Sequence, residues 1–122
     1  MKLLKYVLIF LVLASPVSAF EVGDRVKVAF LCRSESPILD IAIADIKSTK
    51  EAEKVAVSYA VRGICGVTPQ MLDAIVNQVI LDYTDSNRKV AQVVEVAVLH
   101  PLTNLPDPFK HYTILATKET GI

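Results

Sequence analysis

The pattern at the start of the chain predicts how large the folded domain is and in which compartment it folds. Two lysines precede an uninterrupted apolar run over residues 6–14, and Val17 and Ala19 then stand at the −3 and −1 positions of a cleavage site. This is the pattern of a secretory signal peptide. We therefore expect cleavage after Ala19, leaving residues 20–122 as one compact exported domain of about 100 residues, either periplasmic or secreted.

The apolar run is too short for a membrane anchor. It is about half of the roughly 20 residues that a spanning helix needs, and Pro16 interrupts any helix just before the cleavage site. We therefore expect no stable membrane anchor after cleavage.

The charges of the chain are balanced and scattered. Thirteen basic residues face thirteen acidic ones, and the leader removes two of the basic residues. Within residues 20–122 the only basic cluster is Arg88–Lys89. This distribution lacks the electrostatic footprint of a nucleic-acid-binding protein or of a protein that binds an anionic membrane.

Cys32 and Cys65 are the only two cysteines of the chain. In an exported protein an even pair usually forms a disulfide. A metal pair would require further ligands, and a thiol nucleophile would require a nearby histidine and a reduced state. We therefore predict a disulfide between them. By restricting the unfolded chain, this cross-link should raise the free energy of unfolding by roughly 3–4 kcal/mol in the chain-entropy model.

The first half of the mature chain predicts one strand and two helices. Apolar residues alternate from Val26 to Cys32, which is typical of a half-buried strand. Ser36 before Pro37 predicts the start of a helix over 38–46. Ser48, with Glu51 three residues later, forms a capping-box pattern for a second helix that ends at Gly63.

Residues 69–83 are ambiguous, because their apolar residues have helical spacing while many of them are β-branched or aromatic. A turn cluster follows at 85–87, and the run over 90–99 is strongly β-forming. Two such runs around a short polar turn favour a β-hairpin. Glu95 alone interrupts the second run, which indicates a central strand covered on both faces.

The remaining residues predict an irregular loop and a final strand. Three prolines mark residues 100–110, and apolar residues alternate again over 111–118. The predicted order is therefore β-α-α-β-β-β. We expect an α+β fold, with a small antiparallel sheet, two helices on one face and one disulfide.

The chemistry-bearing residues form no recognisable catalytic motif. The chain has no Gly-x-Ser-x-Gly elbow and too few glycines for a phosphate loop. His100 and His111 bracket the same loop, and with Asp107 they are the candidate ligands of a metal ion. We expect no catalytic residues, no metal and no cofactor, so the protein is not predicted to be an enzyme.

The proline-rich loop carries the strongest indication of binding. Prolines lower the entropy lost when a loop is fixed, and exposed apolar groups on such a loop make good anchors. The alternative is that these side chains fold back as a lid on the core. The candidate anchors are Leu102, Leu105, Phe109 and Tyr112.

These observations favour a non-catalytic interaction module that binds another exported or envelope protein. Two alternatives remain open. One is an inhibitor or immunity-type protein that inserts the loop into an exported hydrolase. The other is a small hydrolase or metal-dependent enzyme that uses His100 and His111.

Overall fold

The computed structural model describes residues 17–119, which form six strands and two helices. The α+β class, the order of the main elements and the disulfide are as the sequence predicts. The predicted leader lies mostly outside the described residues. Within 17–119, no helix is long and apolar enough to cross a membrane. The elements are β1 Val17–Ser18, β2 Arg25–Cys32, α1 Glu35–Lys47, α2 Thr49–Val61, β3 Cys65–Thr84, β4 Val90–Val98, β5 His111–Ala116 and β6 Lys118–Glu119.

The antiparallel sheet closes into a four-stranded barrel in the order β2-β3-β4-β5. Strand β3 makes closure possible because it is 20 residues long and pairs with two neighbours in succession. Its first half pairs with β2 and its second half pairs with β4. The seam between β5 and β2 is formed by the single pair Cys32 and Tyr112. The short strands β1 and β6 pair separately, outside the barrel.

Residues 69–83 are extended, which confirms the strand interpretation. Pro69 is tolerated because it lies where the pairing shifts: Val28 pairs with Leu72, but Phe30 pairs with Val67. Proline within a sheet is confined to edges and bulges, since it has no N–H for the ladder. The Thr68 hydroxyl donates to the carbonyl of Gln70 at 2.6 Å within this irregular stretch.

The first helix begins earlier than predicted. The sequence placed its start at Ser36 and Pro37, whereas α1 begins at Glu35 with Ser34 as the N-cap residue. Pro37 is therefore the third helical residue. The first four N–H groups of a helix have no intrahelical acceptor, so a proline there costs no hydrogen bond and the helix can start before it.

The second helix has the termini that the sequence predicts. The Ser48 side chain accepts hydrogen bonds from the N–H groups of Lys50 and Glu51. At the other end, Gly63 has a left-handed φ of 73°. Its N–H donates to the carbonyl of Ala60 at 3.1 Å, and the Ile64 N–H donates to that of Tyr59 at 3.0 Å. This pair of bonds is a Schellman motif.

Strand β4 is covered on both faces, as predicted. One face contributes residues such as Val94 and Val96 to the barrel interior, together with residues of β2 and β3. The other face contributes Ala91 and Val93 to a second apolar cluster, which both helices cover. Helices therefore pack on the outer face of the sheet, and barrel closure buries the inner one.

The disulfide lies inside the helix-side cluster. Cys32 and Cys65 are bonded and directly opposite each other on β2 and β3. Cys32 is fully buried and Cys65 is 5% exposed. The bridge ties the end of the first barrel strand to the point where the chain returns from the two helices.

The β3–β4 hairpin is anchored to the helices at its tip. The Ser86 N–H donates to the carbonyl of Asp45 at 2.9 Å, and the Tyr83 hydroxyl donates to the Asp45 carboxylate at 2.8 Å. Burial is the main reason that the pKa of Tyr83 lies above its ordinary value, and the hydrogen bond to Asp45 raises it further. The predicted turn is thus also a contact between the sheet and the helices.

Candidate binding surface at the proline loop

The loop between β4 and β5 is closed by its own backbone. Leu99 forms an isolated antiparallel bridge with Pro106. The His100 N–H donates to the carbonyl of Leu105 at 2.9 Å, and the Asn104 N–H donates back to that of His100 at 2.8 Å. These bonds give residues 99–110, which we call the proline loop, a defined conformation.

Polar side chains of the proline loop are used to hold its backbone. The Nδ1 atom of His100 accepts from the N–H groups of Leu102 at 3.1 Å and Thr103 at 3.4 Å. The Asp107 Oδ1 atom accepts from the N–H of Phe109 at 2.8 Å. Both side chains thus act as local turn-forming groups.

A network from the barrel fixes one side of the loop. The Arg25 guanidinium donates to the Asn104 Oδ1 atom at 3.1 Å and pairs with Asp73 at 3.2 Å. This contact with Arg25 is the main reason that the pKa of Asp73 lies below its ordinary value. Asn104 has a φ of 59°, a left-handed conformation that asparagine tolerates well. Arg25 therefore connects the loop to two strands of the barrel.

Three of the four predicted anchors face solvent. Leu102 is 89% exposed, Leu105 is 64% exposed and Phe109 is 71% exposed. These side chains do not form a lid over the core. They are large apolar groups held outward on a hydrogen-bonded loop.

Tyr112 belongs to a different environment from the other anchors. It lies on β5, is only partly exposed and packs against the helix-side cluster. Its hydroxyl lies 3.5 Å from Oε1 of Glu95, a carboxylate that is 8% exposed. Burial, and next the negative charge of Glu95, raise the pKa of Tyr112. Tyr112 therefore packs against the core beside the loop and is not an exposed anchor.

A cleft of about 660 Å³ adjoins Phe109. Lys110 lies beside it, and its ammonium is 3.7 Å from the buried Glu95 carboxylate, so these two charges offset each other. The cleft combines the aromatic rings of Phe109 and Tyr112 with charged and polar side chains. Its lining residues are Arg33, Asp107, Phe109, Lys110, His111 and Tyr112.

The candidate metal ligands have separate surroundings. His100 binds the loop backbone through Nδ1, and one Asp107 oxygen binds the N–H of Phe109. His111 is paired with Val96 at the start of β5, and its Nδ1 atom is buried without a hydrogen-bond partner. Within residues 17–119, no group of three or more His, Cys, Asp or Glu side chains is arranged to hold a metal ion.

Sequence reasoning missed the residues that hold the loop in place. Arg25 and Asn104 are 79 positions apart, and no local pattern indicates that they meet. The turn-forming role of Asp107 was accessible in principle, because an aspartate beside a turn often accepts a backbone hydrogen bond. No such rule indicates the role of His100.

No protein family, curated protein or solved structure matches the chain.

Proposed function

We propose that the protein is an exported, non-catalytic interaction module that binds another exported or envelope protein through the proline loop. The observation that carries this proposal is the outward placement of Leu102, Leu105 and Phe109 on a loop with an internally bonded backbone. The leader pattern supports the exported location, and so does the buried disulfide, since such bridges persist in oxidising compartments.

The conformation of the loop favours binding energetically. A flexible loop loses conformational freedom when it meets a partner, and that loss reduces affinity. Here the backbone bonds at His100 and the Arg25–Asn104 contact have already ordered the loop. The apolar area that a partner covers therefore contributes to affinity with a smaller ordering cost.

The chemistry of the loop indicates the kind of partner surface. Its exposed groups include the aliphatic Leu102 and Leu105 and the aromatic Phe109. The adjoining cleft is lined by Phe109, Tyr112 and four polar or charged residues. An apolar depression on a protein would bury Leu102 and Phe109 as central anchors. Polar and charged groups such as Asp107 and Lys110 would then form the rim.

Comparative capture from an envelope extract of the source organism tests this proposal. The full precursor is expressed in an exporting host, and the purified product is immobilised. The loop variant carries Leu102→Ala, Leu105→Ala and Phe109→Ala. The matched control carries Val57→Ala, Val61→Ala and Met71→Ala, which removes three other exposed apolar side chains.

The expected result is at least one protein whose recovery falls about tenfold or more with the loop variant and is unchanged with the control. Circular dichroism and thermal melting of all three proteins establish that they are equally folded. If every captured protein is recovered equally by the loop variant and the unaltered protein, the proline loop is not the binding surface.

A further inference from the structure

The buried side chain of Gln92 holds the backbone of Phe20. Gln92 lies in the middle of β4 and is 1% exposed. Its Oε1 atom accepts a hydrogen bond from the Phe20 backbone nitrogen at 2.7 Å, and its Nε2 atom donates to the Phe20 carbonyl at 3.3 Å. These two residues are 72 positions apart in the chain.

The position of Gln92 explains why it requires such a partner. It alternates with Val94 and Val96, whose side chains belong to the cluster inside the barrel. A carboxamide in that setting is costly unless its polar atoms are hydrogen-bonded. Phe20 supplies one donor and one acceptor, and its side chain packs against the same interior cluster.

Phe20 is also the residue that the leader pattern places at the start of the mature chain. Ala19, on the other side of the predicted cleavage site, is exposed. Two independent observations therefore meet at one peptide bond. The sequence predicts cleavage there, and the fold contains a buried hydrogen-bond acceptor for the nitrogen that cleavage would release.

We propose that Gln92 is a binding site for the α-amino group that processing creates at Phe20. This inference rests on the export part of the proposed function. A signal peptidase adds one water across the Ala19–Phe20 amide: the new carboxylate leaves on Ala19, and the nitrogen remains on Phe20 and takes up protons to become an ammonium group. That ammonium still has an N–H to donate to Gln92 Oε1, and its charge strengthens the bond.

The site distinguishes the correct terminus from neighbouring ones. Cleavage one residue later would remove both Phe20 partners of Gln92 and take the aromatic ring from the barrel interior. Cleavage one residue earlier would leave an ordinary amide at Phe20 instead of a charged amine. The folded domain therefore recognises its own N-terminus through Gln92.

The reactivity of the terminal amine tests this site. The full precursor is exported and purified, and intact mass establishes which residue is first. The folded product is then treated with an amine-acylating reagent at neutral pH, and mass spectrometry of the terminal peptide follows the labelling of Phe20. Gln92→Met removes the hydrogen-bonding amide while keeping a similar side-chain length.

The expected result is a product that begins at Phe20 and whose amine reacts about fivefold faster or more in Gln92→Met, as loss of one hydrogen bond implies. Thr113→Val is the matched control. It removes another buried hydrogen bond, from the Thr113 hydroxyl to the Phe30 carbonyl at 2.7 Å, and should leave the labelling rate unchanged.

A second variant covers the case in which Gln92→Met does not fold. Gln92→Glu keeps an acceptor for the ammonium, so its amine should react no faster than that of the unaltered protein. An equal labelling rate in folded Gln92→Met, rapid labelling in Gln92→Glu or a different first residue would each overturn the inference. Capture by the proline loop is measured separately, so failure of loop binding and failure of this inference are distinguishable.

Discussion

Strand β4 and the proline loop are adjacent in the chain and both carry large apolar side chains, yet most of these are buried in the strand and exposed in the loop. Residues 91–97 are all buried. Immediately afterwards, Leu102, Leu105 and Phe109 are mostly exposed. Hydrophobicity alone therefore does not determine which residues form the core of this protein.

The difference comes from where the backbone hydrogen bonds go. In β4 the backbone pairs with β3 on one side and β5 on the other, so the side chains must point into the two layers above and below the sheet. In the loop, Leu99 is still buried and its N–H donates to the carbonyl of Asp73 in β3. Beyond it, backbone groups bond to one another and to the side chains of His100 and Asp107, and Leu102, Leu105 and Phe109 remain exposed.

Opening the disulfide should have the largest effect on stability, because the disulfide lies in the buried core rather than in the exposed loop. Reduction under denaturing conditions, followed by refolding in reductant, should lower the free energy of unfolding by about 2–5 kcal/mol, the usual cost for small secreted domains. Urea unfolding with and without reductant measures the change. Two titratable thiols in the folded, unreduced protein would contradict the bridge.

Truncation of a core side chain should have the next largest effect. Val94→Ala should cost about 2–3 kcal/mol of unfolding free energy, because Val94 is fully buried and its removal leaves a cavity between β4 and the opposite barrel wall. Denaturant titration measures this cost. A loss below about 0.5 kcal/mol would mean that the barrel interior is loosely packed.

The smallest effect on stability should come from a larger side chain. Phe109→Ala removes more atoms than Val94→Ala, but it should change the free energy of unfolding by less than about 0.5 kcal/mol because the ring is exposed. In the same variant, affinity for a captured partner should weaken by about 1–2 kcal/mol or more. A stability loss of several kcal/mol with unchanged affinity would reverse the comparison and identify Phe109 as a core residue.

The amino-acid sequence predicts the loop as a candidate site but not its geometry. Prolines and large apolar residues occur together in this short segment, so the sequence alone shows that the loop could bind a partner. The sequence left open whether Phe109 would be an anchor or a lid residue, because the answer depends on whether another layer lies over the loop. It also grouped Tyr112 with the anchors, although pairing of β5 with β4 places Tyr112 beside the buried Glu95.

Features that depend on near neighbours were determined by the sequence itself. The Ser48 cap, the Gly63 helix end and the turn at 85–87 are each held by bonds between residues a few positions apart, so the residue types predict them. The bridge between Cys32 and Cys65 also followed, because the chain offers only one pairing. The pattern of β4 also indicated burial on both faces. Successive side chains of a strand point to opposite faces, and both sets of β4 are largely apolar.

Closure of the barrel, the Arg25–Asn104 contact and the hold of Gln92 on Phe20 were decided only by the tertiary structure. Each joins residues that are about 70 or more positions apart. Such contacts form only when the long strand β3 bends between β2 and β4 and brings the distant parts of the chain together. Whether these contacts form depends on the register of each strand pair in the barrel and on the entropy lost in closing long loops. A local pattern of residues shows neither.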